Sequence, residues 1–327
     1  LAQEKQKILF FSTFTAPFID IDRFIMREIG EVRSITSSGF LTIGKLKWLS
    51  LFSDILVAWF VSTYSAVLVL MARIFRKKSI IFVGGADVNV DPKMGYGLLT
   101  SRWKRWFIRY ALRRATYVLP MSKHLEERTR EIGNYDGSNI RQVAPGLDPQ
   151  LWQPGQNKED MILTVAACPT EDRIRIKGID ILIKTARSLP DVPFLIIGIK
   201  PGVLTSLHID LPPNVTIKPF LKENDLLPFY QKSKVYCQPS RIESFSFALA
   251  QGMLCECIPV GTNIGGIPEV MGNVGYLVAP GDHEVLASSL QKALDTHSDT
   301  GAAARNRVQA KFSLFHRSEK LKQIILG

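Results

Sequence analysis

Two α/β domains, each a parallel sheet with helices on both faces, are predicted by three observations. Short apolar runs alternate with helical segments from Lys7 to Pro120. The alternation breaks at Val143-Ala144-Pro145-Gly146-Leu147-Asp148, with Pro154-Gly155 just beyond, a punctuation that suits a crossing between domains. It then restarts at Met161 and runs to Phe312. Apolar strands alternating with helices indicate parallel sheets buried on both sides. At 327 residues the chain is long enough for two cores. The expected division is residues 1–145, residues 146–312, and a last helix, 313–327, returning to the first domain. Ligands of such folds sit at the carboxyl ends of the strands, so a hinge would set a cleft between the two sheets.

In the first domain, Lys7 to Ser12 reads as a buried strand and Phe18 to Ile29 as a helix. Val32 to Thr36, Ile55 to Phe60 and Ser79 to Val83 are further strands, with a helix from Tyr64 to Phe75. The run Ile55 to Phe75 is long enough to span a bilayer, but Ser62-Thr63-Tyr64-Ser65 interrupts it, and strand plus helix explains it as well. Leu98 to Arg114 reads as a long helix and Tyr117 to Pro120 as a strand. Ser122 is an expected N-cap, Glu126 favours the first turn, and Gly133 is the expected C-terminal stop. Ile140 to Ala144 closes the domain.

In the second domain the expected strands are Met161 to Ala166, Phe194 to Gly198, Val215 to Lys218, Val235 to Gln238, Ile258 to Gly261 and Val274 to Val278. Helices are expected over Ile179 to Ser188, Asp225 to Lys232, Asp282 to Thr296, Gly301 to Phe312 and Phe315 to Leu326. No internal repeat of 20–50 residues is visible.

The net charge is +11 and the isoelectric point about 9.5. That excess favours anionic partners: nucleic acid, an acidic membrane surface or phosphorylated substrates. The cysteines are Cys168, Cys237, Cys255 and Cys257, without zinc-ligand spacing. They read as small buried hydrophobes in a reducing cytosol. No signal peptide is visible, and the chain opens on Leu1. The expected location is cytoplasmic, with membrane association on that face.

Chemistry concentrates between Pro239 and Asp282. Pro239-Ser240 ends a strand and delivers Glu243 to a junction with a helix marked by Phe245, Leu249 and Met253 at four-residue spacing. After the next strand, Gly265-Gly266-Ile267-Pro268-Glu269 opens another helix with proline just inside it. Two exposed helix N-termini, a carboxylate and a glycine turn at one rim suit a phosphorylated, hydroxyl-rich ligand. Arg173-Ile174-Arg175-Ile176-Lys177-Gly178 adds cations before a helix, and by itself also reads as a solvated basic loop.

This pattern resembles the donor half of the retaining family-4 glycosyltransferases, which have the GT-B fold of two Rossmann-like domains facing across a cleft. Glu243, Phe245, Gly265, Gly266 and Glu269 match the family's motif; Ser246 replaces a glycine and Gln251 the second glutamate. Val143 to Asp148 is similar to the family's interdomain stretch. The resemblance implies a metal-independent, retaining hexosyltransferase. Its donor is a nucleoside diphosphate sugar, its acceptor a glycan, a lipid-linked molecule or a small molecule, and it has no cofactor beyond the donor. Front-face transfer is implied, the departing phosphate helping to deprotonate the acceptor.

Glu243, Arg173 and Lys177 are then the implied catalytic residues, with Arg175 the alternative to Arg173. Gly178, Ser244, Phe245, Ser246, Gln251, Gly265 and Gly266 are implied donor-binding residues. Gln251 keeps one acceptor oxygen for a ribose, so Gln251→Glu is expected to raise donor affinity. Gly85 and Asp87 of Gly84-Gly85-Ala86-Asp87 are implied on the acceptor side, although Asp87 reads equally as a loop cap. The Asp-x-Asp of Asp20 and Asp22 lies on a helix rather than at a strand end, and no metal site is expected.

The segment Arg102–Arg114 puts Trp103, Trp106, Phe107 and Tyr110 on one helix face, beside a stripe of Arg102, Arg105, Arg109 and Arg113. It reads either as a core-packed helix with a basic edge or as an interfacial helix on anionic lipid. Nucleic acid is not an expected partner, for want of a recognition motif. A non-enzymatic sugar-nucleotide-binding or scaffolding relative is the alternative reading, motivated by Gln251 and Ser246. A GT-B nucleotide-sugar epimerase is a third.

Overall fold

The computed structural model describes residues 5–91, 94–97 and 102–327. Two compact units form: Leu1–Gly146 with Leu314–Gly327, and Leu147–Ser313.

The first unit contains β1 (Gln6–Ser12), α1 (Pro17–Ile29), β2 (Gly30–Thr36), α2 (Phe40–Leu51), β3 (Ile55–Trp59), α3 (Thr63–Ile74), β4 (Lys78–Val83), α4 (Arg102–Arg114), β5 (Tyr117–Pro120) and α5 (Lys123–Gly133). Among the described residues its sheet runs β2-β1-β3-β4-β5, parallel throughout. Residues 98–101 of the expected long helix lie outside the described residues. Helix α2 was not expected: it buries Thr42, Leu46 and Ser50 and leaves apolar residues and two lysines outside, so no 3.6-residue apolar period marks it. Ser62 and Ser65 form a reciprocal capping box that starts α3 and divides the apolar run into a strand and a helix. No helix among the described residues is long and apolar enough to cross a membrane. Ser122 caps α5 as expected, but the left-handed residue that ends it is Asn134 (φ 50°), one past Gly133.

The second unit contains β6 (Glu159–Cys168), α6 (Glu171–Ile176), α7 (Ile179–Arg187), β7 (Phe194–Ile199), α8 (Val203–Ser206), β8 (Val215–Lys218), α9 (Glu223–Lys232), β9 (Ser233–Gln238), α10 (Phe247–Leu254), β10 (Ile258–Thr262), α11 (Ile267–Met271), β11 (Tyr276–Val278), α12 (His283–Asp295) and α13 (Asp299–Phe312). Its described strands run β11-β10-β9-β6-β7-β8, again parallel. This is the doubly wound order, whose direction reverses between β6 and β9. Buried Ile162, Val235, Ile258 and Val260 on the strands pack against Leu182 and Ile183 of α7 and Leu286 and Leu290 of α12. The four cysteines are free and buried; burial pushes the Cys168 thiol up to about 11 and holds the other three above the usual range as well.

Helix α14 (Leu314–Leu326) belongs to the first unit and packs on α1. Its Arg317 makes a buried bidentate pair with Asp22 at 2.5 and 2.6 Å, and Trp59 Nε1 donates to the same carboxylate at 2.8 Å. Asp20 pairs with Arg23 on the surface. The Asp-x-Asp segment is thus spent on structure.

Candidate functional site

The reversal of strand order in the second unit places two loops together, the one after β6 and the one after β9. The first carries Lys177, the C-cap of α6. The second carries Glu243. Lys177 Nζ donates to Glu243 Oε2 at 2.6 Å, and both side chains are mostly covered, 15% and 13% exposed. The expected basic loop is therefore a short helix, α6, and its terminal lysine is engaged.

Glycines allow this closeness. Gly178 is left-handed (φ 67°), and a Cβ there would meet the Pro239 carbonyl at 1.9 Å. Gly265 is also left-handed, and a Cβ would meet the Glu243 carbonyl at 1.8 Å; at Gly266 it would meet the Ser244 carbonyl at 2.3 Å. The glycine pair therefore lets the turn before α11 lie directly on the Glu243–Ser244 backbone.

Arg241 adds a clamp, pairing bidentately with Asp180 at 2.8 and 2.9 Å and donating to the Arg175 carbonyl. Gln238 Nε2 donates to Ser240 Oγ at 2.8 Å, and Thr262 Oγ1 donates to the Ser240 carbonyl at 2.6 Å. Phe245 is buried against Phe247 and Phe312. Its ring anchors the loop in the core and faces no open space.

Ser246, at the N-cap of α10, is left-handed (φ 81°) and 5% exposed, and its Oγ has no partner among the described residues. Ser244, Phe245 and Ser246 are all buried, so this helix start is covered, contrary to the exposed N-terminus expected from the sequence. The five residues of α11 make only a short second start.

Gln251 is buried inside α10. Its Oε1 accepts from Tyr230 Oη at 3.2 Å, and its Nε2 donates to Glu223 Oε1 at 2.8 Å. Burial raises the Glu223 carboxyl above its ordinary value, while the Gln251 amide lowers it. Glu223 was missed from the sequence: it starts α9, far along the chain from Gln251, and nothing local marks it.

Arg173 is half-buried in α6 and its carbonyl accepts from Cys168 Sγ; Arg175 is exposed. In the first unit, Asp87 is fully buried and accepts from Gly85 N at 2.7 Å, Val61 N at 3.0 Å and Gly84 N at 3.4 Å. Burial raises its carboxyl despite those bonds. Asp87 therefore clasps its own loop to the start of α3, and Gly85 contributes the N–H that it holds. A cavity of 520 Å³ in the second unit is lined by Lys158, Asp160, Lys234 and His297. It opens where β6, β9 and β10 begin, the opposite end from the Lys177–Glu243 pair.

Residues 159–296 match the family model described as glycosyl transferases group 1. The D-inositol 3-phosphate glycosyltransferase of Mycobacterium sp. (strain JLS) is 27% identical over 208 residues, 57% of this chain and 46% of that protein. The N-acetyl-alpha-D-glucosaminyl L-malate synthase of Bacillus anthracis is 34% identical over 140 residues, 40% of this chain and 35% of that protein. The chain spans about half the length of the curated relatives it matches. Among solved structures, HepE of Anabaena in complex with UDP aligns with a TM-score of 0.79 at 16% identity, over 98% of this chain and 99% of that one. The sucrose-phosphate synthase of Thermosynechococcus elongatus aligns at 0.77 and 16% identity, over 98% of both chains. The fold is GT-B, two Rossmann-like parallel-sheet domains. The second unit carries a glycosyl transferases group 1 domain.

Proposed function

We propose that this protein is a retaining, metal-independent glycosyltransferase of family 4, moving a hexosyl group from a nucleoside diphosphate sugar to a glycan, lipid-linked or small-molecule acceptor. The single observation that carries the reading is the Lys177–Glu243 pair at 2.6 Å, set at the reversal point of a doubly wound sheet. A diphosphate is the natural competitor for the lysine: its oxygens would take the ammonium that Glu243 holds. Glu243, so released, would accept hydrogen bonds from hexose hydroxyls. Lys177, with Arg173, supplies the positive charge that a departing diphosphate needs, and the donor needs no further cofactor. UDP leads the candidate donors because HepE is described in complex with UDP. The first unit would take the acceptor, and an anionic membrane surface met by Arg102–Arg114 would suit a lipid-linked one.

A catalytically weakened donor-binding relative is the second reading. Ser246 favours it, since a left-handed residue with an orphaned buried hydroxyl stands where the family has glycine. Incubation with UDP-, GDP- and ADP-linked sugars in the absence of acceptor separates the two. Slow donor hydrolysis, lost in Glu243→Gln, is expected of the enzyme. Binding without any turnover in the wild type supports the weakened relative.

A further inference from the structure

We propose that α2, α3 and α4 together form a face that docks on an anionic lipid bilayer. The three helices lie side by side, α2 against α3 and α3 against α4. Leu46 of α2 and Leu68, Met71 and Ala72 of α3 pack on the alternate residues Leu9, Phe11, Leu56 and Ala58, which share one side of the sheet. The other side of these helices is where the sequence becomes unusual.

Helix α2 buries only Thr42, Leu46 and Ser50 and turns most of its large apolar side chains outward, beside Lys45 and Lys47. Phe40 is 88% exposed and Leu41 81%, at its first turn; Trp48, Leu51 and Phe52 are exposed further along. Leu70 and Ile74, one turn apart, are exposed on α3, and Trp103 and Trp106 are exposed on α4. A soluble helix is expected to be polar on its outward face, and large apolar side chains turned outward call for a partner surface. Large apolar side chains left exposed on three neighbouring helices mark an interaction site.

Charge identifies the occupant. The three helices contain no aspartate or glutamate and nine basic residues: two in α2, one in α3 and six in α4. Arg109 and Arg113 cap the end of α5, donating to the Ile132 and Gly133 carbonyls, so the expected stripe is partly spent on structure. Lys45, Lys47, Arg73 and Arg105 have no ion pair among the described residues. Exposed apolar and aromatic side chains on the same helices as unpaired cations match the interface of a bilayer with anionic headgroups. A second copy of this chain fits poorly, because a two-fold contact would bring the same acid-free patch against itself. Nucleic acid would use the cations but leave Leu41, Leu70 and Ile74 without a partner. With 12 residues, α2 is about 18 Å long, too short to cross a bilayer of about 30 Å, so it would lie in the interface.

The tryptophans supply the readout. Trp48 of α2 and Trp103 and Trp106 of α4 are exposed, while Trp59 and Trp152 are buried. The test adds vesicles of phosphatidylcholine, with and without phosphatidylglycerol, to the whole chain at low salt, following co-sedimentation and tryptophan emission. Binding to the anionic vesicles with a blue shift is expected. Phe40→Ser with Leu41→Ser, and separately Lys45→Glu with Lys47→Glu, should each weaken binding about tenfold or more with the melting temperature unchanged. Lys184→Glu with Arg187→Glu, on α7 of the other unit, should not. Four results overturn the proposal: no binding at low salt; binding without a blue shift; equal loss in the α7 control; or a lipid-free dimer that Phe40→Ser with Leu41→Ser dissolves and that does not bind vesicles. The test is independent of glycosyl transfer, because it reads neither donor binding nor turnover.

Discussion

Lys177 and Glu243 stand 66 positions apart and meet at 2.6 Å. They meet because β6 and β9 are neighbours in the sheet, each ending in a loop at the same rim. Each partner is largely covered by the other and by the loops around them. Removing one leaves a poorly solvated charge, so Lys177→Ala and Glu243→Ala should each cost roughly 1–3 kcal/mol of stability. A double-mutant cycle by urea denaturation should give a coupling of about 1 kcal/mol or more. A coupling indistinguishable from zero contradicts the pairing.

The glycine pair has a steric test. Gly265→Ala and Gly266→Ala would press a methyl onto the Glu243 and Ser244 carbonyls, at 1.8 and 2.3 Å. Each should cost roughly 2–4 kcal/mol, since backbone must move. Gly281 is also left-handed (φ 89°) but has nothing within 4 Å of a built Cβ. Gly281→Ala should therefore cost only about 1–2 kcal/mol of backbone strain. Denaturation midpoints ranked otherwise would show that close approach is not what the pair provides.

Ser246→Gly should stabilise the protein. Glycine removes the left-handed strain and the unpartnered buried hydroxyl. Those gains of roughly 1–3 kcal/mol exceed the roughly 0.5–1 kcal/mol of extra chain entropy lost on folding. Calorimetric melting checks this, and a lower melting temperature would contradict it.

The contact between Gln251 and Glu223 gives Gln251→Glu an expected pH dependence that the sequence did not suggest. The exchange turns a 2.8 Å amide–carboxylate bond into two facing carboxylates. The Glu223 carboxyl is already raised by burial from 4.5. A raised carboxyl contributes stability that is full below the unfolded value and is lost as pH rises through the folded value. In Gln251→Glu that loss should be steeper, because two adjacent carboxylates resist joint ionisation. The exchange pair Glu223→Gln with Gln251→Glu should restore the wild-type profile. Any gain in donor affinity is expected in the exchange pair rather than the single variant. Stability measured from pH 4 upward decides it; parallel profiles for wild type and Gln251→Glu would refute the contact.

Strand and helix alternation was legible because buried parallel strands are continuous apolar runs, and both sheets follow from it. Helix α2 was not, since its polar and apolar residues are mixed on both faces and leave no period. Lys177, Glu243 and the glycine pair stood out locally by residue type and spacing. Their pairing, and the Glu223–Gln251 contact, depend on strand order and long-range packing that no local window contains. Ser246 was visible as a serine in a glycine's place, but its left-handed backbone and orphaned hydroxyl emerge only from the fold. Asp87 looked equally like a site residue and a loop cap. Its burial among three backbone N–H groups makes it a clasp.

Calorimetric titration with UDP, GDP and ADP tests the central claim most directly, using the wild type, Lys177→Ala and Lys184→Ala. One diphosphate should bind the wild type and Lys184→Ala alike, and bind Lys177→Ala about tenfold or more weakly, as expected on losing a charge-assisted bond. Failure of all three to bind the wild type, or equal binding to Lys177→Ala, would contradict the account.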